Sequence, residues 1–237
     1  MTKFKPKKKI VAIIPARGNS KRLLQKNIKI MAGKPLIAHT IIAAKKSKYI
    51  NRTIVSTEDK EIAEISKKYG AEIFKRPGYL AADKVKVAKV VLHFLKILEE
   101  ERYFPELVVL LQPTSPLRTA DDIDEAIESF FKNDCEMVMS VGEVSSPVYR
   151  SFKIEGKYLE PVLGHNYISA RGQDLPKIYI ANGAIYIATP QIIKKYQAIH
   201  ALKILPYFMP EEKSIDIDDR IDFERAEKLM KNKNNEI

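Results

Sequence analysis

Among 237 residues there is one cysteine, Cys135, and no tryptophan. A lone cysteine excludes any intrachain disulfide, and the four histidines (His39, His93, His165, His200) show no metal-ligand spacing, which argues against a zinc centre. No apolar run approaches the roughly 20 residues that span a bilayer. The start of the chain, Met1 to Lys9, lacks the apolar stretch of a secretory signal, so the expectation is a cytoplasmic protein with no membrane partner. Basic residues are in excess, with a net charge of +11, but five lysines fall within the first nine residues, and without them the excess is +6. The remaining cations are scattered among acids with no basic-aromatic interleaving, which speaks against nucleic acid and for a small polyanion such as a nucleoside triphosphate.

What is present is an alternation. Ile10-Val11-Ala12-Ile13-Ile14, Thr53 to Ser56, Leu107 to Leu111, Met137 to Val141 and Ala184 to Ala188 read as strands. Between them, helical spacing runs from Leu36 to Lys48, from Glu58 to Tyr69 with Gly70 as a stop, and onward from Val87. A further helix is capped by Thr119, and a closing one spans Asp219 to Met230. This predicts an α/β fold: a three-layer, Rossmann-like, mostly parallel sheet with its ligand site beyond the C-terminal ends of the strands. Between about Glu143 and Ile180 prolines and short β-like pieces interrupt the pattern, which reads as an inserted arm. The expected organisation is a basic flexible tail over 1–9, one domain over 10–231 and a polar tail over 232–237.

Two segments carry chemistry on their own terms. Pro15-Ala16-Arg17-Gly18-Asn19-Ser20-Lys21-Arg22 follows the first strand, where α/β folds place phosphate loops. Gly18 permits close backbone approach, the loop amides can face anionic oxygens, and Arg17, Lys21 and Arg22 supply charge. Composition alone leaves an exposed basic turn open. Asp216 and Asp218 alternate with Ile215 and Ile217, so an extended segment would project both carboxylates from one face. That pair suits Mg²⁺, which takes one or two carboxylates plus phosphates and water, although a solvated strand face has the same pattern. Asp219 and Asp222 read as helix-start acids.

The ordered set Ile14 to Arg22, Val55-Ser56-Thr57, Arg76-Pro77 with Leu80-Ala81-Ala82-Asp83, Leu110 to Arg118, and Asn182 to Ile187 with Ser214 to Asp218 resembles the N-acylneuraminate cytidylyltransferase family, the CMP-sialic acid synthetases. The resemblance runs from Ile10 to about Met230. It implies a homodimeric, magnesium-dependent enzyme whose partners are CTP and an acidic sugar, with CMP transferred to the sugar's anomeric hydroxyl and pyrophosphate released. It implies catalytic roles for Arg17, Lys21, Asp216 and Asp218, the two aspartates as metal ligands. Nucleotide contacts are implied for Ala16, Arg17, Gly18, Asn19, Ser20, Lys21, Asn27, Arg76 and Asp83, and sugar contacts for Gln112, Arg171, Gln173, Asn182 and Tyr186. Dimerisation is implied through the arm.

The pattern departs from the family at three places. Gly172 and Ile180 stand where arginines are usual, and Lys84-Val85-Lys86-Val87 replaces a Thr/Ser-rich segment. These changes favour a related acidic sugar (legionaminic, pseudaminic or 3-deoxy-octulosonic type) over N-acetylneuraminate. Competing readings are a nucleotidyltransferase for another sugar or nucleotide, and a non-catalytic nucleotide- or glycan-binding protein on the same fold.

Overall fold

The computed structural model describes residues 8–144 and 146–235. The first seven residues of the expected basic tail, and 236–237 of the polar tail, therefore lie outside the described residues. The strands form where β-branched and apolar residues run together, and the elements follow in chain order. They are β1 (Ile10–Pro15), the short pair β2 (Ile30–Met31) and β3 (Lys34–Pro35), α1 (Leu36–Lys46), β4 (Arg52–Thr57), α2 (Lys60–Lys68) and β5 (Glu72–Lys75). Next come α3 (Val87–Glu100), β6 (Leu107–Leu110), α4 (Ala120–Lys132), β7 (Met137–Val144), β8 (Phe152–Glu155) and β9 (Tyr158–Pro161). The chain ends with β10 (Ile178–Ala188), α5 (Pro190–Tyr196), β11 (Ile204–Phe208) and α6 (Arg220–Asn235).

Seven strands make the central sheet in the order β11-β7-β10-β6-β1-β4-β5. All neighbours pair in parallel except β10, which runs antiparallel to both β6 and β7. The sheet is thus mostly parallel, helix-covered and Rossmann-like. Side chains alternate between two cores: Ala12, Ile14, Val55 and Val109 face α1 and α4, whereas Val11, Ile13, Val108 and Leu110 face α3 and its Phe94. Chain order reverses at β1, which lies between β4 and β6. The crevice such a reversal opens at the strands' carboxyl ends is where open α/β sheets bind ligands.

Local signals explain most boundaries. Asp59 caps α2 by accepting from the Ile62 amide, and Gly70 ends it at φ 84°. Thr119 and Asp122 form a reciprocal capping box on α4. Several expectations need correction. The first helix stops at Lys46, two residues early, where Ser47 turns extended. α6 continues to Asn235, so residues 232–235 of the expected polar tail are helical. β7 and β10 reach Val144 and Ile178 while still paired, so the arm leaves the sheet only over residues 145–177. Within it, β8 and β9 form a separate two-stranded hairpin.

Candidate functional site

The loop after β1 is anchored by backbone and side-chain bonds that the sequence pattern hides. The Ala16 amide donates to the Ser56 carbonyl, and buried Asn27 donates from Nδ2 to the Arg17 carbonyl at 2.9 Å. Glu58, just past β4, accepts from the Gly18 amide at 2.8 Å and from Arg76 Nε at 2.7 Å. A Cβ on Gly18 would meet Asp59 Oδ2 at 2.4 Å, so a side chain here would displace the carboxylate that caps α2. These contacts leave Arg17 and Lys21 projecting into a cleft of about 590 Å³, lined by Ser20, Arg76, Asp83 and Gln112 among others. In the cleft, Arg17 pairs with Asp83 at 2.7 Å and Lys21 with the same carboxylate at 2.5 Å.

The opposite rim is the extended segment before α6. Ile215 and Ile217 are buried beside Leu23 and Leu117, and Asp216 and Asp218 alternate outward into the cleft. The segment joins no ladder. It is held by the Ile217 amide, which donates to the Thr114 carbonyl, and by Lys26 Nζ, which donates to the Ile217 carbonyl at 2.6 Å. Arg22 bonds Asp218 at 2.8 Å. Burial, reinforced by neighbouring Asp218, pushes the Asp216 carboxyl above the usual carboxylate range, and burial lowers Lys26 against the pull of Asp218. Asp219 and Asp222 bond backbone amides at the start of α6, which is the work of helix-start acids.

Beneath the cleft, β10 opposes β7 with Ala181 facing Val141 and Tyr186 facing Met139, leaving residues 182–185 bulged across from Ser140. Ser140 closes the bulge by donating to Asn182 Oδ1 and accepting from the Ile185 amide. Arg118, fully buried, donates from Nη1 to the carbonyls of Ala184 and Gln112, and burial lowers its pKa to about 10. Its Nε and Nη2 have no protein partner among the described residues. Gly183 sits at φ 76°, and a Cβ there would stand 3.3 Å from Asp216 Oδ2. The bulge therefore lies close against one of the two cleft carboxylates.

A cytidylyltransferase family profile matches residues 11–235. The chain belongs to the cytidylyltransferase family. It is 39% identical over 226 residues to the CMP-N,N'-diacetyllegionaminic acid synthase of Legionella pneumophila, covering 94% of this chain and 96% of that one. It is 36% identical over 236 residues to the N-acylneuraminate cytidylyltransferase of Escherichia coli, covering 95% of this chain and 53% of that one. CMP:2-keto-3-deoxy-manno-octonic acid synthetase, solved in complex with CTP, matches with a TM-score of 0.73 at 16% identity, over 95% of this chain and 99% of that one. At that identity the likeness speaks for the fold. As a cytidylyltransferase the chain is a nucleotidyltransferase enzyme.

Within this cytidylyltransferase the cleft gathers Arg17, Ser20, Lys21, Asn27, Arg76, Asp83, Gln112, Asp216 and Asp218 from the sequence-based set. Ala16 and Gly18 support it from below, the Gly18 amide being taken by Glu58 and not offered to an anion. Asn19 is exposed and does not line the cleft. Four sugar candidates also lie outside the lining. Arg171 and Gln173 are exposed on the arm, where Arg171 pairs with Asp174 at 3.1 Å. Asn182 is buried and committed to Ser140, Ser214 and the Ala184 amide. Tyr186 is half-buried, and burial together with Asp216 raises its hydroxyl pKa. Glu58, Lys26 and Arg118 have positions that sequence reasoning missed. An acid directly after a strand, as Glu58 is after β4, was the available signal.

Proposed function

We propose that this enzyme transfers CMP from CTP to the anomeric hydroxyl of an acidic sialic-acid-like sugar. The anomeric oxygen bonds to the α-phosphorus, the bond from that phosphorus to the bridging oxygen breaks, and pyrophosphate leaves with the electron pair. The observation that carries the reading is a single cleft at the sheet's reversal point with Arg17 and Lys21 on one side and Asp216 and Asp218 on the other. The similarity to legionaminic and neuraminic acid cytidylyltransferases supports the donor and acceptor classes.

In this reading Arg17 and Lys21 hold phosphate oxygens and offset the charge that develops on them, and Gln112 faces the acceptor. Asp216 and Asp218 offer two hard carboxylate ligands, a set that fits Mg²⁺, since it completes its octahedron with phosphates and water. No cluster of three or more His, Cys, Asp or Glu suited to a metal exists among the described residues, so the remaining ligands would come from substrate and solvent. Bound magnesium would supply charge neutralisation on the phosphates.

A second copy of the chain seated on the arm would bury its outward apolar residues, and would bring Arg171 and Gln173 toward a neighbouring cleft. Ile154, Tyr158 and Leu159 are 78%, 68% and 65% exposed, which supports the homodimer. No helix among the described residues is long and apolar enough to cross a membrane. A reaction consuming CTP belongs in the cytoplasm.

The test is pyrophosphate release from each of the four nucleoside triphosphates against a panel of acidic sugars. CTP with a legionaminic-type acid should lead. Turnover led by another triphosphate would refute the cytidine assignment.

A further inference from the structure

Asp83 lies in the turn between residues 78–81 and α3, across the cleft from the loop after β1, and both of its carboxylate oxygens are occupied. Oδ1 meets Arg17 Nη1 at 2.7 Å and Oδ2 meets Lys21 Nζ at 2.5 Å. These are the two cations that the proposed function gives to the triphosphate. A carboxylate in that place cannot itself bind phosphate, because like charges repel. The side chains of Arg17, Lys21 and Asp83 are 39%, 71% and 42% exposed, so packing does not lock the pairs, and an anion from solvent can exchange into them. Lys21 first, and Arg17 with it, hold the Asp83 carboxyl below the usual range, in keeping with a charged partner to both cations. Arg22 repeats the arrangement, bonded to Asp218 on the facing rim.

We propose that Asp83 is a placeholder for the nucleotide's phosphates: it holds Arg17 and Lys21 in the cleft when no anion is bound and yields them to the incoming polyanion. It thereby weakens binding of polyphosphate groups and favours release of the pyrophosphate product. This rests on Arg17 and Lys21 being phosphate ligands. Without Asp83 two adjacent cations would repel each other and stand ready for any anion. With it, an entering ligand must replace two ion pairs as well as form its own.

The experiment is calorimetric titration of the full chain with inorganic pyrophosphate in divalent-free buffer containing chelator, which leaves the aspartate pair out of the measurement. Asp83→Asn should bind pyrophosphate about three- to tenfold more tightly than wild type, the scale of two partly exposed ion pairs. Asp83→Ser should do the same, and melting curves check that both variants are folded. In an Arg17→Ala/Lys21→Ala background, Asp83→Asn should produce no tightening, since the cations it acts through are gone. Unchanged or weaker binding by Asp83→Asn and Asp83→Ser overturns the placeholder, as does tightening that persists without Arg17 and Lys21. If the Arg17→Ala/Lys21→Ala pair binds pyrophosphate as wild type does, the reading of the first loop fails as well. If that pair loses binding while Asp83→Asn is unaltered, the placeholder alone fails.

Discussion

Around the cleft the charged side chains are spoken for within the chain: Arg17 and Lys21 by Asp83, Arg22 by Asp218, Arg76 by Glu58. Across β8 and β9 and the residues after them, apolar side chains stand exposed beside charged ones, Phe152, Ile154, Leu159 and Val162 among them. One region is electrostatically complete and open to a polyanion. The other is chemically incomplete and suited to an apolar surface. Under the proposed function, donor recognition is built by a single chain, whereas acceptor recognition by arm residues requires something brought to them.

The sharpest test of that division is at the aspartates. Asp216→Ala and Asp218→Ala should each lower turnover by about a hundredfold or more, because the magnesium they would hold in the proposed function offsets charge that grows on the phosphates in the transition state, while circular dichroism stays native. Near-normal turnover at limiting Mg²⁺ would remove the metal role. The acceptor side is probed by Gly172→Arg, which restores a cation where sialic-acid members carry one. A charge-assisted hydrogen bond of roughly 1.5–3 kcal/mol corresponds to about ten- to a hundredfold in affinity. Wild type should therefore use N-acetylneuraminate poorly and Gly172→Arg should improve its KM, with CTP parameters unchanged; Arg171→Ala should weaken whichever sugar is best. If Arg171→Ala changes nothing and N-acetylneuraminate is the best substrate, the arm does not select the sugar.

The arm's incompleteness is tested by Leu159→Lys. Placing a charge on the exposed hairpin should raise the dissociation constant of a dimer about tenfold or more, read by sedimentation, and leave the melting temperature of the monomer nearly unchanged. A wild-type chain that sediments as a monomer with full activity would end the subunit-completed site. The smallest effect belongs to a pair outside both regions. Lys195 first, with the amides of Leu202 and Lys203 and the Tyr196 hydroxyl, holds Glu136 at about 2, below its ordinary 4.5. Stability from these contacts is full above pH 4.5 and is lost as the pH falls toward about 2, so Glu136→Gln should flatten the acid limb of melting temperature against pH. An acid limb identical to wild type would show that these contacts do not contribute.

Much of the fold was legible because β1, β4, β6 and β7 are buried parallel or near-central strands, and such strands read as unbroken apolar runs. β5, at one edge, is four residues with charged ends, and β11, at the other, contains Pro206; neither gave a sequence signal, since edge strands alternate and tolerate proline. The reversed direction of β10 was also invisible, because periodicity carries no strand polarity. At the site, Arg17, Lys21, Asp216 and Asp218 were readable from local pattern and resemblance. Glu58 carried only the weak signal of an acid after a strand, since its work joins Gly18, 40 residues before it, to Arg76, 18 residues after it. Asn182 was readable as part of a signature, but its three bonds to Ser140, Ser214 and Ala184 arise only once β10 bulges.

That bulge divides the chain's tolerance for changes in length. On its outer side, Ile178 to Ala181 continue a ladder with Val141 to Val144 that leads only to the arm, so residues gained or lost over 145–177 alter the hairpin and nothing else in register. On its inner side, Tyr186, Ile187 and Ala188 are paired on both edges, to β6 and to β7. A one-residue insertion there would turn each of these side chains to the opposite face of the sheet. Insertions and deletions that reshape the arm can therefore accumulate without re-registering the core, and under the proposed function a family built on this plan can diversify its acceptors while its nucleotide cleft stays fixed.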